Sequence, residues 1–231
     1  MITLSERGIR LYRCQLETHD YLWFASSDVA GISSTEAVVH NYALSYALNR
    51  FERSIVYQRV PTYEEDLAEM SIYPLPAHSV GAGKTVLTFN AVNSKTQQTQ
   101  DPTYKAKNTP MLGKRSCVDL GTRFSFYAFA RQGARLPRVI RLGKKRVPCR
   151  LTIEEIKVPR AIFSSERFRP THLVNPLDVS GRVITYSVVS IAPFLLLRDL
   201  TLEGDWLVKA GVDIVHVPRR VLQWAEVVEC A

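Results

Sequence analysis

An α+β fold that opens with a ferredoxin-like (RRM-type) β-α-β unit is predicted by three observations. Residues 9–17 alternate as a strand does, with Tyr12, Cys14 and Leu16 on one face and Arg13, Gln15 and Glu17 on the other. Ser33 and Glu36 have the three-residue offset of a capping box ahead of a helical stripe, Ala37, His40, Leu44, Ala47 and Leu48. Most of the remaining apolar runs are short and alternating.

In chain order, Tyr21 to Phe24 extend the first strand or pack beneath it. The helix is expected from Ser33, as its N-cap, to about Arg50. Pro61, Pro74 and Pro76 punctuate residues 55–79, where Tyr63 to Met70 make one or two acidic helical turns and Ile72 to Ala77 a short extended piece. Val86 to Val92 is strand-like. Residues 93–116 lack hydrophobic periodicity and carry Pro102, Pro110 and Gly113; they are expected to form a projecting, partner-binding loop. Arg123 to Arg131 is a strand. Val139 to Leu142 and Val147 to Ile153 form a hairpin whose tip is Gly143-Lys144-Lys145-Arg146. Further strands are expected at 183–191, 194–197, 206–208 and 212–217. Residues 1–160 are read as an RRM-like domain with a basic insertion at about 84–150. Residues 161–231 are a β-rich portion completing the same unit, and Pro159, Pro170 and Pro176 leave room for a linker between them.

The 231 residues suffice for an ample core, and 46% hydrophobic with 23% charged residues is ordinary for a globular protein. The longest apolar run, Ile191 to Leu197, is interrupted by Pro193 and is far shorter than the roughly 20 residues of a membrane span. Glu6, Arg7 and Arg10 stand where a signal peptide would be apolar. Cys14, Cys117, Cys149 and Cys230 make no C-x-x-C pair. That argues against structural zinc and for a reducing, cytoplasmic setting.

Charge is the main functional signal. The stretch from Lys84 to Arg150 holds 15 of the 30 lysines and arginines against two carboxylates, Asp101 and Asp119. The rest of the chain is mildly acidic. One sign of charge confined to one segment, with amides and aromatics interleaved, is what a nucleic-acid groove needs. Leu112-Gly113-Lys114-Arg115 is echoed by Leu142-Gly143-Lys144-Lys145; a glycine before cations lets main chain approach a phosphate while side chains neutralise it.

Other motifs point away from catalysis. Gly81-Ala82-Gly83-Lys84-Thr85 ends like a phosphate-binding P-loop, but His78 stands where the first glycine belongs and a strand pattern follows. The glycines are expected to make a turn with a close backbone approach. His19, His40, His78, His172 and His216 have no metal-ligand spacing, and none lies in the basic segment. His40 is expected to pack or cap its helix. Glu64, Glu65, Asp66 and Glu69 read as a solvated helix face, or a contact with a basic partner subunit, rather than a carboxylate metal site.

Several segments together resemble a family. Asn41 to Leu48 (NYALSYAL), Pro61 to Asp66 (PTYEED), Phe89 to Ser94 (FNAVNS), Asn108 to Lys114 (NTPMLGK) and Arg141 to Lys144 (RLGK) are similar in order and spacing to Csc-one. That is the Cas-five-type RAMP subunit of type I-D CRISPR surveillance complexes. The resemblance spans roughly the first 150 residues. It implies a RAMP domain with an inserted thumb loop, here Asn93 to Arg115. It also implies a generally non-catalytic subunit that caps the 5′ handle of the guide RNA, between the large subunit and the first backbone (Cas-seven-type) subunit, close to target double-stranded DNA and its protospacer-adjacent motif.

On this reading Lys105, Lys107, Lys114 and Arg115 grip guide phosphates, with Lys95 in the same loop. Asn90, Asn93 and Tyr104 make shape- and base-level contacts, and Tyr127 is a second ring able to stack. Lys84, Arg141, Lys144, Lys145 and Arg146 hold the RNA handle or the DNA duplex. No cofactor or metal is expected. The rival expectation is a metal-independent endoribonuclease acting on CRISPR repeat RNA, which needs a general base at the 2′-hydroxyl and an acid at the leaving oxygen.

Overall fold

The computed structural model describes residues 1–29, 32–50, 62–90 and 112–226. Strand β1 (Ile2–Thr3) passes through a 3-10 turn into β2 (Ile9–Thr18). Then come β3 (Ser27–Val29), β4 (Ile32–Ser34), β5 (Val38–Val39) and helix α1 (Asn41–Leu48). Helix α2 (Tyr63–Glu69) precedes β6 (Ile72–Pro74), β7 (Ala77–His78) and β8 (Lys84–Asn90). Next are β9 (Leu112–Val118), β10 (Arg123–Arg131), β11 (Val139–Leu142) and β12 (Val147–Ile156). The last third holds β13 (Arg160–Ser164), β14 (Arg182–Val189), β15 (Leu196–Glu203), β16 (Asp205–Ala210), β17 (Asp213–His216) and helix α3 (Arg219–Trp224). The protein is therefore mostly β, with few and short helices.

The central sheet has the order β11-β12-β2-β10-β7-β5, with β6 also on β10. Its pairs are antiparallel. Because β2 and β6 both oppose β10, they run parallel to each other on either side of it, and α1 lies between them in the chain.

The alternation in β2 explains how this sheet is covered. Cys14 and Leu16 point to one face and pack with Leu44 and Leu48 of α1, Phe124 and Phe126 of β10, and Cys149 and Leu151 of β12. Ile9 and Leu11 point to the other face, where Phe129, Ala161, Val208, Val215 and Val221 make a second core under the C-terminal strands. That cover reaches only part way. Gln15 of β2, Ser125 of β10 and Arg150 of β12 remain exposed on the face that Ile9 and Leu11 bury. The cover is the sheet β1-β13-β16-β17, which joins the chain's first strand to its last. The hairpin β14–β15 sits over a third core built on Phe168, Leu200, Leu202 and Leu207.

Several expectations are corrected. The helix does not start at Ser33, and the Ser33/Glu36 capping box does not form. Ile32–Ser34 is a strand, parallel to Lys114–Ser116 of β9. Thr35 is tied to Phe24 through its hydroxyl, and His40 is the N-cap, its Nδ1 accepting from the Tyr42 N–H at 3.1 Å. The loop expected over 93–116 is a strand from Leu112 on, paired with β8; residues 93–111 lie outside the described residues. The region from 160 is no linker, since β13 pairs with both β1 and β16. Residues 219–224, unassigned from sequence, form α3.

Candidate nucleic-acid interface

Two separated cationic motifs meet at one ring. The Arg115 guanidinium lies 5.2 Å from the Trp23 ring centroid, and Lys144 Nζ lies 5.0 Å from it. Such cation–π contacts hold two like charges together against a neutral, electron-rich surface. The echo of Gly-Lys-Arg and Gly-Lys-Lys thus has a spatial counterpart, and Trp23, which sequence reasoning passed over, is its centre.

The backbone around Trp23 is anchored on both sides. Leu22, fully buried, exchanges two 2.9 Å hydrogen bonds with Val118 at the end of β9. The Trp23 carbonyl accepts from the Lys144 N–H at 3.0 Å. This contact needs Gly143, whose φ is +73° and whose Cβ, were there one, would stand 2.7 Å from the Trp23 oxygen. The hairpin tip is a tight turn at 143–146, as the sequence predicts. Lys144, Lys145 and Arg146 are exposed on it, and Arg141 donates to the Arg146 carbonyl at 3.2 Å.

The other named residues fall as follows. Lys114 is exposed on β9, one residue before the Trp23-bound Arg115. Both stand in a paired strand rather than a projecting loop, because Leu112–Val118 pairs with β8 and, through Lys114–Ser116, with β4. Lys84 begins β8 and pairs with Glu36 at 3.6 Å. Asn90 ends β8, with only its backbone described. Asn93, Lys95, Tyr104, Lys105 and Lys107 lie outside the described residues. Strands β8 and β9 are antiparallel down to Asn90↔Leu112, so the segment carrying those five residues leaves and re-enters the body at one paired hairpin end.

The basic segment is not one continuous face. Arg123 is 3.3 Å from Glu17, and Arg131 lies over the Trp224 ring at 4.9 Å. Tyr127 does not present a ring for stacking. It is buried, its hydroxyl meets Asp213, and burial together with that carboxylate pushes its phenol up to about 12. The Gly81–Thr85 motif turns at Gly81, with φ +74°, and the Asp119 carboxylate crowds Gly83. That is the close approach expected of it, and it is made to a side chain.

Three histidines are internal. His40 is held neutral by burial, down to about 4, and His172 to about 3. His216 is fully buried 3.2 Å from Asp205. Among the described residues no group of three or more His, Cys, Asp or Glu side chains could hold a metal ion. Glu64 and Glu65 are solvated on α2 as expected, whereas Asp66 is buried against Tyr46 and Thr62. No helix among the described residues is long and apolar enough to cross a membrane.

A chain of the Type III-B Cmr-beta complex, bound to cognate target RNA and AMPPnP, superposes with a TM-score of 0.50 at 12% identity, over 87% of this chain and 86% of that one. A chain of Cmr-beta bound to cognate target RNA gives 0.44 at 12% identity, over 67% and 63%. At 12% identity the first of these likenesses is one of fold. No individually curated protein matches the sequence. The family described as Type I-D CRISPR-associated protein Cas5/Csc1 matches residues 9–223, nearly the whole chain. The protein with two cationic motifs gathered on Trp23 is thus a member of the type I-D Cas5/Csc1 family, a RAMP-type subunit of a CRISPR effector.

Proposed function

We propose that this protein is a non-catalytic subunit of a type I-D CRISPR complex that holds the 5′ handle of the guide RNA. The observation that carries this is the convergence of Arg115 and Lys144 on Trp23. Fixed cations with exposed Lys114 and Lys145 beside them in sequence suit a phosphodiester backbone more than a compact anion. The strand order β12-β2-β10-β6, with α1 joining β2 to β6, supports a ferredoxin-like core. The paired stem β8–β9 supports a thumb carrying Asn93, Lys95, Tyr104, Lys105 and Lys107 to the RNA.

In this reading the hairpin tip Lys144–Arg146, with Arg141, faces the handle or the DNA duplex near its protospacer-adjacent motif. Target sequence is left to guide pairing. The protein works in the cytoplasm against the large subunit and the first backbone subunit. It holds RNA without cutting it. The burial of His172 and His216 supports that, since general acid–base cleavage needs groups that reach the 2′-hydroxyl and the leaving oxygen.

The native chain, purified with whatever accompanies it, is expected to carry guide RNA and effector subunits. Purified protein incubated with repeat RNA in EDTA is expected to leave the RNA intact; site-specific cleavage favours the endoribonuclease instead.

A further inference from the structure

Next to the Trp23 cluster is a cavity of about 410 Å³. Phe24, Tyr42, Tyr46 and Tyr63 line it, and Lys144, the same residue that rests on Trp23, stands on its wall. The rings are close to one another. Tyr42 and Tyr63 have centroids 4.9 Å apart, and Tyr46 and Tyr63 are 6.1 Å apart. Tyr46 and Tyr63 are only partly buried, so part of this aromatic surface is not used by the core.

We propose that this cavity receives one unstacked base of single-stranded RNA, while the two adjoining phosphates lie on Lys144 and Arg115. The proposal rests on the RNA-binding reading above and adds a base site to it. Flat aromatic walls beside a fixed cation are how single-stranded nucleic acid is held, base on ring and phosphate on charge. An aliphatic plug from a neighbouring protein fits less well. It would cover Lys144 and strip water from its ammonium without returning a charge, whereas a nucleotide brings its own anion.

His40 also lines the cavity, but its Nδ1 accepts from the Tyr42 N–H and its Nε2 is buried beside the Phe194 carbonyl, so it offers a base no free edge. Sequence preference is expected to be weak and to favour purines, because stacking rather than edge recognition dominates the lining.

The test uses the full-length protein and a fluorescent 10-mer RNA carrying 2-aminopurine at each position in turn, alongside matched oligomers with an abasic site there. One position is expected to be quenched on binding. Tyr63→Leu is expected to abolish the quenching and weaken binding about tenfold, and Tyr63→Trp to keep both. The abasic oligomer is expected to bind the parent protein about tenfold more weakly and to be indifferent to Tyr63→Leu. A thermal unfolding curve shows whether Tyr63→Leu remains folded, and the quenching and abasic comparison on the unaltered protein stands whether or not it does. If RNA binds with a salt dependence set by Arg115 and Lys144 but no position is quenched and abasic RNA binds equally, the base site is wrong and the RNA reading stands. If no RNA binds even at low salt, both fall. If Tyr63→Leu loses a partner subunit with RNA affinity unchanged, the cavity holds protein instead.

Discussion

Gly143 and Trp23 are in backbone contact: a Cβ on the glycine would stand 2.7 Å from the tryptophan carbonyl oxygen. Glycine is needed there twice over, for the positive φ and for the approach. Gly143→Ala is expected to cost at least about 1–2 kcal/mol, measured by chemical denaturation, through a strained αL residue and a displaced turn. It should also move Lys144 off Trp23 and weaken RNA binding, while Gly133→Ala, with φ +90° but nothing within 4 Å of its Cβ, should cost stability without touching RNA affinity.

Arg115 and Lys144 are expected to account for two neutralised phosphates. If about five phosphates of single-stranded RNA are neutralised in all, log K falls against log salt with a slope near −3.5. The Arg115→Gln, Lys144→Gln double variant should flatten that slope by about 1.4, read from binding isotherms between 50 and 300 mM salt. Trp23→Leu leaves both charges but removes their shared support. It should weaken binding with a much smaller change in slope.

Acidification is expected to destabilise the protein between pH 6.5 and 4. His40 and His172 are buried neutral, with burial taking them to about 4 and about 3 from 6.5. The unfolded chain therefore binds these protons first, and stability falls as pH drops. At about 1.4 kcal/mol per pKa unit the two remove roughly 6 kcal/mol by pH 4. Asp178 acts the other way. Burial raises it from 3.8 to about 6, so the folded state takes up its proton first and gains roughly 2 kcal/mol over the same window. The Asp178→Asn variant should lose that compensation and show a steeper decline of melting temperature below pH 6.

Asp205 should be among the costliest single residues to truncate. Its Oδ2 accepts from the Ser180 and Gly181 N–H groups at 3.1 and 3.0 Å, and it pairs with the fully buried His216 at 3.2 Å. The His216 hydrogen bond and charge, with the Gly181 and Trp206 N–H donors, hold its carboxyl below the usual range despite burial. Its contribution is thus present above about pH 4 and lost as pH falls through its depressed pKa. Asp205→Ala is expected to cost about 3–5 kcal/mol, measured by denaturation at pH 7.

How far the sequence reaches is clearest from particular elements. Strands β2, β10, β11 and β12 alternate cleanly because one face is a core and the other meets solvent or a different core, so period-two reasoning found them. The helix start was misplaced because a capping box is local, whereas Ile32–Ser34 is claimed by a distant strand, β9, across some eighty residues. His40 then caps in place of Ser33. Lys114 and Arg115 were assigned to a loop for the same reason: Gly113 and the polar residues before it hide a strand that only pairing with β8 reveals. The hairpin tip and its cations were legible. Trp23 was not, since it reads as one more apolar residue of the run Tyr21 to Phe24 and nothing local marks it as a meeting point for distant cations. The Gly143 that it meets was noticed only as a turn former.

The stem formed by β8 and β9 brings Asn90 and Leu112 side by side as the last registered pair. Whatever runs between them is a detour from the viewpoint of the body, spliced in at a single doorway. Doubling the length of such a closed detour costs only about 0.6 kcal/mol of closure entropy. Relatives are therefore free to trade longer or shorter versions of it, and an affinity tag or probe placed there should leave the three cores intact.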